Sequence, residues 1–186
     1  MNIPKVLNSE EVYKGKIISI RKDTLTRGDG KSFIRETAIS NDAVAVVAMD
    51  EQRRILLIRQ YRHPMGGPVW EIPAGKMDIC GEKPEETAIR ELQEETDTTA
   101  ESVKLLTVFY NSAGWTNEKT YVYLVKNLKE VPEFKRENEE ADIEKKWISL
   151  DEAYELVLTG ELADAKTVIG ILLTFEAEGS VQRGVN

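Results

Sequence analysis

The sequence predicts an α+β protein: an α/β/α sandwich about a mixed β-sheet, with an antiparallel β-hairpin subdomain ahead of it. Three observations lead there. Two short apolar runs, residues 43–49 (AVAVVAM) and 54–61 (RILLIRQY), have the length and β-branched content of buried strands. A stretch opening at Pro84 carries Ala88, Ile89 and Leu92 as an apolar helical stripe. Residues 10–40 read as extended segments around the turn Arg27-Gly28-Asp29-Gly30. The chain divides accordingly into residues 1–40, the hairpin region, and residues 41–186, the main domain.

Each element follows from local chemistry. Residues 12–20 are β-rich with a bend at Gly15, residues 21–26 continue extended, and 32–39 return as the partner strand. This hairpin has few core-type residues for its length, so it must pack on something else, the main domain or a second subunit. Runs 43–49 and 54–61 are predicted to pair as a central hairpin through the turn at 50–53. Residues 62–68 form a Gly- and Pro-rich loop, 69–72 a short strand ending at Pro73, and Ala74-Gly75 open the next loop. Pro84 suits the first turn of a helix, where its missing N–H costs nothing, and that helix runs to about Thr96. Residues 103–110, 119–125 and 142–148 read as strands, with a loop at 111–118 and a polar one at 129–140. Ser149-Leu150-Asp151-Glu152 is a capping-box pattern for a helix ending near Gly160. Residues 164–178 form a final amphipathic helix.

Composition removes several classes of function. The chain has 186 residues, 41% hydrophobic and 31% charged, enough apolar material for one sizeable core. A net charge of −8 argues against nucleic-acid partners and against anionic membrane surfaces. Any anionic substrate must therefore be met by local cations or by metal. The single Cys80 cannot form an internal disulfide, which fits a reducing compartment. The N-terminus lacks an apolar signal core, so the reading is a cytoplasmic protein.

The chemistry concentrates in Arg90-Glu91-Leu92-Gln93-Glu94-Glu95. On a helix, Glu91, Glu94 and Glu95 fall within an arc of about 100°. Three carboxylates on one face repel one another, and Arg90 offsets only part of that. A divalent cation reverses the sign, since Mg²⁺ and Mn²⁺ take hard oxygen ligands, typically a few carboxylates plus substrate phosphates.

Residues 75–98 resemble the Nudix box, G-x5-E-x7-R-E-U-x-E-E-x-G-U, where U is aliphatic. Glu82, seven residues, then Arg90 to Glu95 match that part in full. Arg59 to Gly67, Glu71-Ile72-Pro73-Ala74-Gly75, Ser112 to Glu118 and Asp164-Ala165-Lys166-Thr167 resemble the ADP-ribose pyrophosphatase branch of that family. Three departures stand out. Six residues, not five, separate Gly75 from Glu82, Asp97 stands where the box has Gly, and Ala113 replaces the branch's Pro.

The resemblance implies the Nudix fold and Mg²⁺-dependent hydrolysis of a nucleoside diphosphate derivative, with Mn²⁺ as the alternative cation. ADP-ribose would yield AMP and ribose 5-phosphate. It implies metal ligation by Glu91, Glu94, Glu95 and the carbonyl of Ala74, with Glu94 also catalytic, Arg90 orienting the acids, and Glu82 an outer ligand or a loop brace. It implies a general base in a late acidic loop, at Glu139 or Glu140, with Glu118 as a further candidate. Arg62 would contact the phosphates, and Ser112, Glu118, Arg35 and Glu36 would line the substrate. The hairpin region implies a homodimer. Rival readings are another X–diphosphate substrate, such as GDP-mannose or FAD, and a non-catalytic nucleotide-sensing module.

Overall fold

The computed structural model describes residues 2–132 and 142–182. The chain forms two compact units: Met1–Asp42 with Phe109–Lys119, and Ala43–Val108 with Thr120–Asn186.

In the first unit, β1 (Lys5–Lys14), β2 (Ser19–Thr26) and β3 (Ser32–Ile39) form an antiparallel sheet in that order. The bend expected at Gly15 is a true turn, with the Gly15 N–H donating to the Ile18 carbonyl at 2.9 Å. The stretch 12–20 is thus divided between two strands, and the hairpin becomes a three-stranded meander. β1 is exposed along its whole length, and Val6, Leu7, Val12 and Tyr13 are among its exposed apolar side chains. The polar sequence of residues 5–11 hides this strand, because its partner β2 supplies backbone pairing rather than burial. Residues 109–119 join the end of β3: Ala38 N–H donates to the Trp115 carbonyl at 2.8 Å, and Ser40 N–H to Asn117 Oδ1 at 3.0 Å.

The remaining elements are β4 (Ala43–Ala48), β5 (Arg54–Arg62), β6 (Gly67–Glu71), β7 (Ala74–Lys76), α1 (Pro84–Thr96), β8 (Thr98–Tyr110), β9 (Lys119–Glu130), β10 (Glu144–Ser149), α2 (Leu150–Leu158) and α3 (Ala165–Gln182). The predicted pairing of the two apolar runs as a central hairpin is wrong. β4 lies in a four-stranded sheet, β7-β4-β9-β8, parallel to β9 and antiparallel to β7. β5 is the centre of a second sheet, β10-β5-β6. Only one backbone bridge, Met49 with Ile55, joins them. β9 lines one edge of β4 along its whole length and β7 takes the other at Ala43–Ala45, which leaves little ladder for its neighbour in sequence. β7 is only three residues long, too short to signal in the sequence that β4 needed it.

β4 is buried on both faces, as a strand between two helical layers must be. Val44, Val46 and Ala48 share a core with Ala88 and Leu92 of α1, together with Leu56, Tyr123 and Val125. Behind it, α3 approaches so closely that a Cβ on Gly170 would lie 2.8 Å from Val47 and 3.1 Å from Ile72. Helices therefore cover both faces of the mixed sheet, the sandwich the sequence predicts. α2 stacks on α3 through the rings of Tyr154 and Phe175, 3.9 Å apart.

The acidic helix has the expected bounds for identifiable reasons. Pro84 occupies its first turn, and Glu86 reaches back to accept from the Lys83 N–H at 3.0 Å. Asp97 ends it in the left-handed region at φ 57°, and its N–H donates to the Gln93 carbonyl. Asp thus does here what Gly does in the box pattern. No helix among the described residues is long and apolar enough to cross a membrane.

Candidate active site

α1 turns Glu91 and Glu95 inward, leaving them 8% and 5% exposed, while Glu94 is half-buried. Glu95 accepts from the Ala74 N–H at 2.9 Å and from Gln60 Nε2 at 3.3 Å. Burial pushes its carboxyl up to about 8; the Ala74 N–H opposes this, and the charges of Glu91 and Glu71 add to it. Burial likewise pushes Glu91 up to about 7, against the pull of Arg90 and with the charge of Glu94 added. The turn at Ala74-Gly75 lies against these acids. A Cβ on Gly75 would fall 1.9 Å from the Glu91 carboxyl carbon, so only glycine admits the carboxylate there.

Arg90 holds the acids in place. Its Nη1 donates to Glu91 at 2.8 Å and to Glu94 at 3.0 Å, the i,i+4 pair expected on the helix. Its other edge meets Glu82, with Nε and Nη2 each at 3.0 Å. Burial works against the guanidinium's charge, yet the Glu82 bond and the Glu91 and Glu94 charges leave its pKa raised. Glu82 also accepts from the Thr87 hydroxyl at 2.8 Å, and the Arg90 bond leads in lowering its pKa. It braces loop to helix. The extra residue in the box does not disturb this. It is taken up by an exposed turn at Ile79–Gly81, closed by the Glu82 N–H on the Ile79 carbonyl, with Gly81 at φ 85°.

Among the described residues no three acidic, Cys or His side chains already form a cation cage, and Glu91 and Glu94 are both paired with Arg90. The donor set nonetheless suits a hard divalent cation. Glu91 and Glu95 offer carboxylate oxygens one helical turn apart, and both are costly to keep as unpaired anions. In the metal-free protein their raised pKa values make stability fall with pH. The unfolded chain releases these protons near 4.5, whereas the folded chain holds them to about 7 and 8. Between those limits the folded state binds more protons, so its stability declines until both are ionised. The melting temperature of chelator-treated protein should drop from pH 5.5 to pH 8.5, and millimolar Mg²⁺ at pH 8.5 should recover it. A flat profile in chelator would contradict the buried pair.

Arg62, expected on substrate phosphate, is bidentate on the buried Glu71, Nε at 2.8 Å and Nη2 at 3.0 Å. Burial lowers its pKa, but Glu71 outweighs that and the charges of Glu95 and Asp164 add to it. Lys166 also donates to Glu71, and pairs with Asp164 at 3.0 Å. Thr167, fully buried, accepts the Ile72 N–H at 3.0 Å and donates to Asp164 at 2.7 Å. Glu71 and Gln60 were missing from the sequence-derived candidates. The signal for Glu71 was present: a lone charge inside Val69-Trp70-Glu71-Ile72 is a charge that must find partners.

Other candidates lie in the first unit. Arg35 and Glu36 are exposed on β3, and the Arg35 guanidinium sits 4.9 Å from the centre of the Phe33 ring. Ser112 is half-buried, and its carbonyl accepts from the Trp115 and Thr116 N–H groups at 3.1 Å. Glu118 closes the same loop, its carbonyl accepting from the Asn111 N–H at 3.1 Å. Glu139 and Glu140 lie outside the described residues.

Comparison with known proteins adds an independent line. An ADP-ribose pyrophosphatase of Mycobacterium tuberculosis is 36% identical over 168 residues, 90% of this chain and 81% of that protein. An ADP-ribose pyrophosphatase of Bacillus subtilis is 36% identical over 167 residues, 90% of each chain. A crystal structure of an ADP compounds hydrolase superposes with a TM-score of 0.83 at 22% identity, covering 97% of this chain and 96% of its own, which establishes the common fold. The NUDIX domain profile matches residues 40–169, a span that runs from the end of β3 into α3 and includes the acidic helix, its glycine turn and the Glu71 cluster, and so this chain belongs to the Nudix family.

Proposed function

We propose that this chain is a Nudix pyrophosphohydrolase that cleaves the diphosphate bond of ADP-ribose, giving AMP and ribose 5-phosphate, with Mg²⁺ as its cation and Mn²⁺ as the alternative. The observation that carries the reading is the buried Glu91–Glu95 pair against the Ala74-Gly75 turn. The extended match to proteins named ADP-ribose pyrophosphatases supports the choice of substrate. Bound divalent cations would screen the diphosphate and lower the pKa of the attacking water. Glu91, Glu94, Glu95 and the Ala74 carbonyl are the groups that would hold them. Arg90 holds two of these acids, Glu91 and Glu94, on one of its nitrogens, and Arg62 offers its guanidinium to the phosphates. Glu139 or Glu140 would take the water's proton. Arg35, Glu36, Ser112 and Glu118 are the candidates for the nucleoside and ribose.

Purified protein with Mg²⁺ should release AMP and ribose 5-phosphate from ADP-ribose. A panel including GDP-mannose and FAD tests the rival substrates, which Ala113 keeps in play. Faster turnover of another member would replace the substrate, and tight binding of ADP-ribose with no product would favour a sensing module. We also infer a cytoplasmic homodimer. The exposed apolar side chains of β1 support the dimer, since an outer strand of this kind is a surface for a second chain. Light scattering should give twice the 21.0 kDa chain mass, and a monomer at micromolar concentration would remove the dimer.

A further inference from the structure

We propose that Glu71 is a positioning residue that fixes Arg62 for the substrate's diphosphate, and that Lys166 is the counter-cation that keeps this cluster from being anionic. The inference rests on the diphosphate-hydrolase reading above.

Glu71 is 1% exposed at the end of β6, opposite Ile58 of β5. Its two oxygens meet one edge of the Arg62 guanidinium, which fixes the plane of that group as well as its position. Yet the Arg62 side chain remains 39% exposed. A cation gripped from the buried side and open on the other is suited to receive an anion. Charge then decides whether it can. Arg62 faces Glu71 and also feels Glu95 and Asp164. Without Lys166, the set Arg62, Glu71 and Asp164 carries a net negative charge and repels a diphosphate. With Lys166 on both Glu71 and Asp164, those four groups, Glu95 apart, sum to zero, so the open face of Arg62 repels an anion less than it would without Lys166. The side chain of Lys166 is 16% exposed, so solvent screens this balance only partly.

The arrangement is also built to hold still. Lys166 lies in the first turn of α3, where Asp164 accepts from the Thr167 N–H at 3.1 Å and from its hydroxyl. That same hydroxyl takes the Ile72 N–H, one residue beyond Glu71. Lys166 thus acts on Arg62 through Glu71, not by touching substrate.

The test is a double-mutant cycle read by steady-state kinetics with ADP-ribose and by calorimetric binding of ADP in the presence of Mg²⁺. Lys166→Met should raise KM and weaken ADP binding about tenfold, the size of a 1.4 kcal/mol change. The kcat should stay within about twofold, and Lys166→Arg should restore affinity. In an Arg62→Ala background, Lys166→Met should weaken ADP binding less than it does in the wild type, because only the longer-range repulsion remains once the guanidinium that Glu71 would then hold more tightly is gone. Unchanged ADP affinity in Lys166→Met, or an equal loss with and without Arg62, would overturn the proposal, and so would a wild type that does not bind ADP. Should Lys166→Met fail to fold, Lys166→Gln carries the same comparison. A wild type that binds ADP without cleaving ADP-ribose would defeat the hydrolase reading, while the ADP arm would still decide whether Lys166 acts through Arg62.

Discussion

Replacing Glu95 with Gln should lower ADP-ribose turnover at least about a thousandfold, roughly 4 kcal/mol of transition-state stabilisation. It should also raise the melting temperature of the metal-free protein at pH 8. The two effects have opposite signs for one reason. Glu95 is 5% exposed and its neighbours Glu91 and Glu71 repel its charge, so the folded chain tolerates the anion only at a cost. Gln keeps the shape and an oxygen for the Ala74 N–H, and removes that cost. It also removes the charge for which the site keeps the acid. Glu91→Gln should behave alike, with a smaller gain because Arg90 already offsets part of its charge. Such a trade of stability against activity marks a functional acid rather than a structural one. Turnover within tenfold of wild type in both variants would remove these acids from the mechanism, and a lower melting temperature at pH 8 would remove the electrostatic account.

Gly75→Ala should leave the fold standing and cost about a hundredfold in kcat. The added carbon would sit 1.9 Å from the Glu91 carboxyl carbon and 2.1 and 2.2 Å from its oxygens. Those atoms are the far end of a flexible side chain, so the carboxylate swings away and the backbone does not break. A displacement of about 1 Å at a reacting centre is enough for a loss of that order. Circular dichroism and melting should therefore look nearly native while activity collapses. Wild-type activity would mean that Glu91 has no fixed place.

The acidic helix was legible because its determinants are local. Pro84, the apolar stripe and Asp97 set its ends, and one turn of spacing sets its charge face. The Nudix likeness then supplied roles that spacing alone could not. What stayed hidden depends on distant partners. The β4–β5 hairpin was the natural guess from two apolar runs four residues apart, yet β9, some 75 residues on, claimed one edge of β4. Glu71 read as one letter in Glu-Ile-Pro-Ala-Gly. Its lone charge among apolar neighbours called for partners, but Lys166 of α3, 95 residues on, lies in no window around it. Arg62 was expected on a phosphate, and no local pattern signals that a carboxylate nine residues on would grip it.

The hydroxyl of Thr167 that holds the Ile72 amide is separated from it by 95 residues of chain. On a ribosome moving at about 5–20 residues per second, that interval is roughly 5–20 s. For most of that time the growing polypeptide contains every acid of the Nudix box, but the strand leading into the glycine turn has no final anchor. Lys166, adjacent to Thr167, arrives at the same moment, so Glu71 gains its second cation and Ile72 its acceptor together. Completion of the Glu71 cluster is therefore scheduled late in synthesis, by a pair of residues that no inspection of the Nudix box alone would single out.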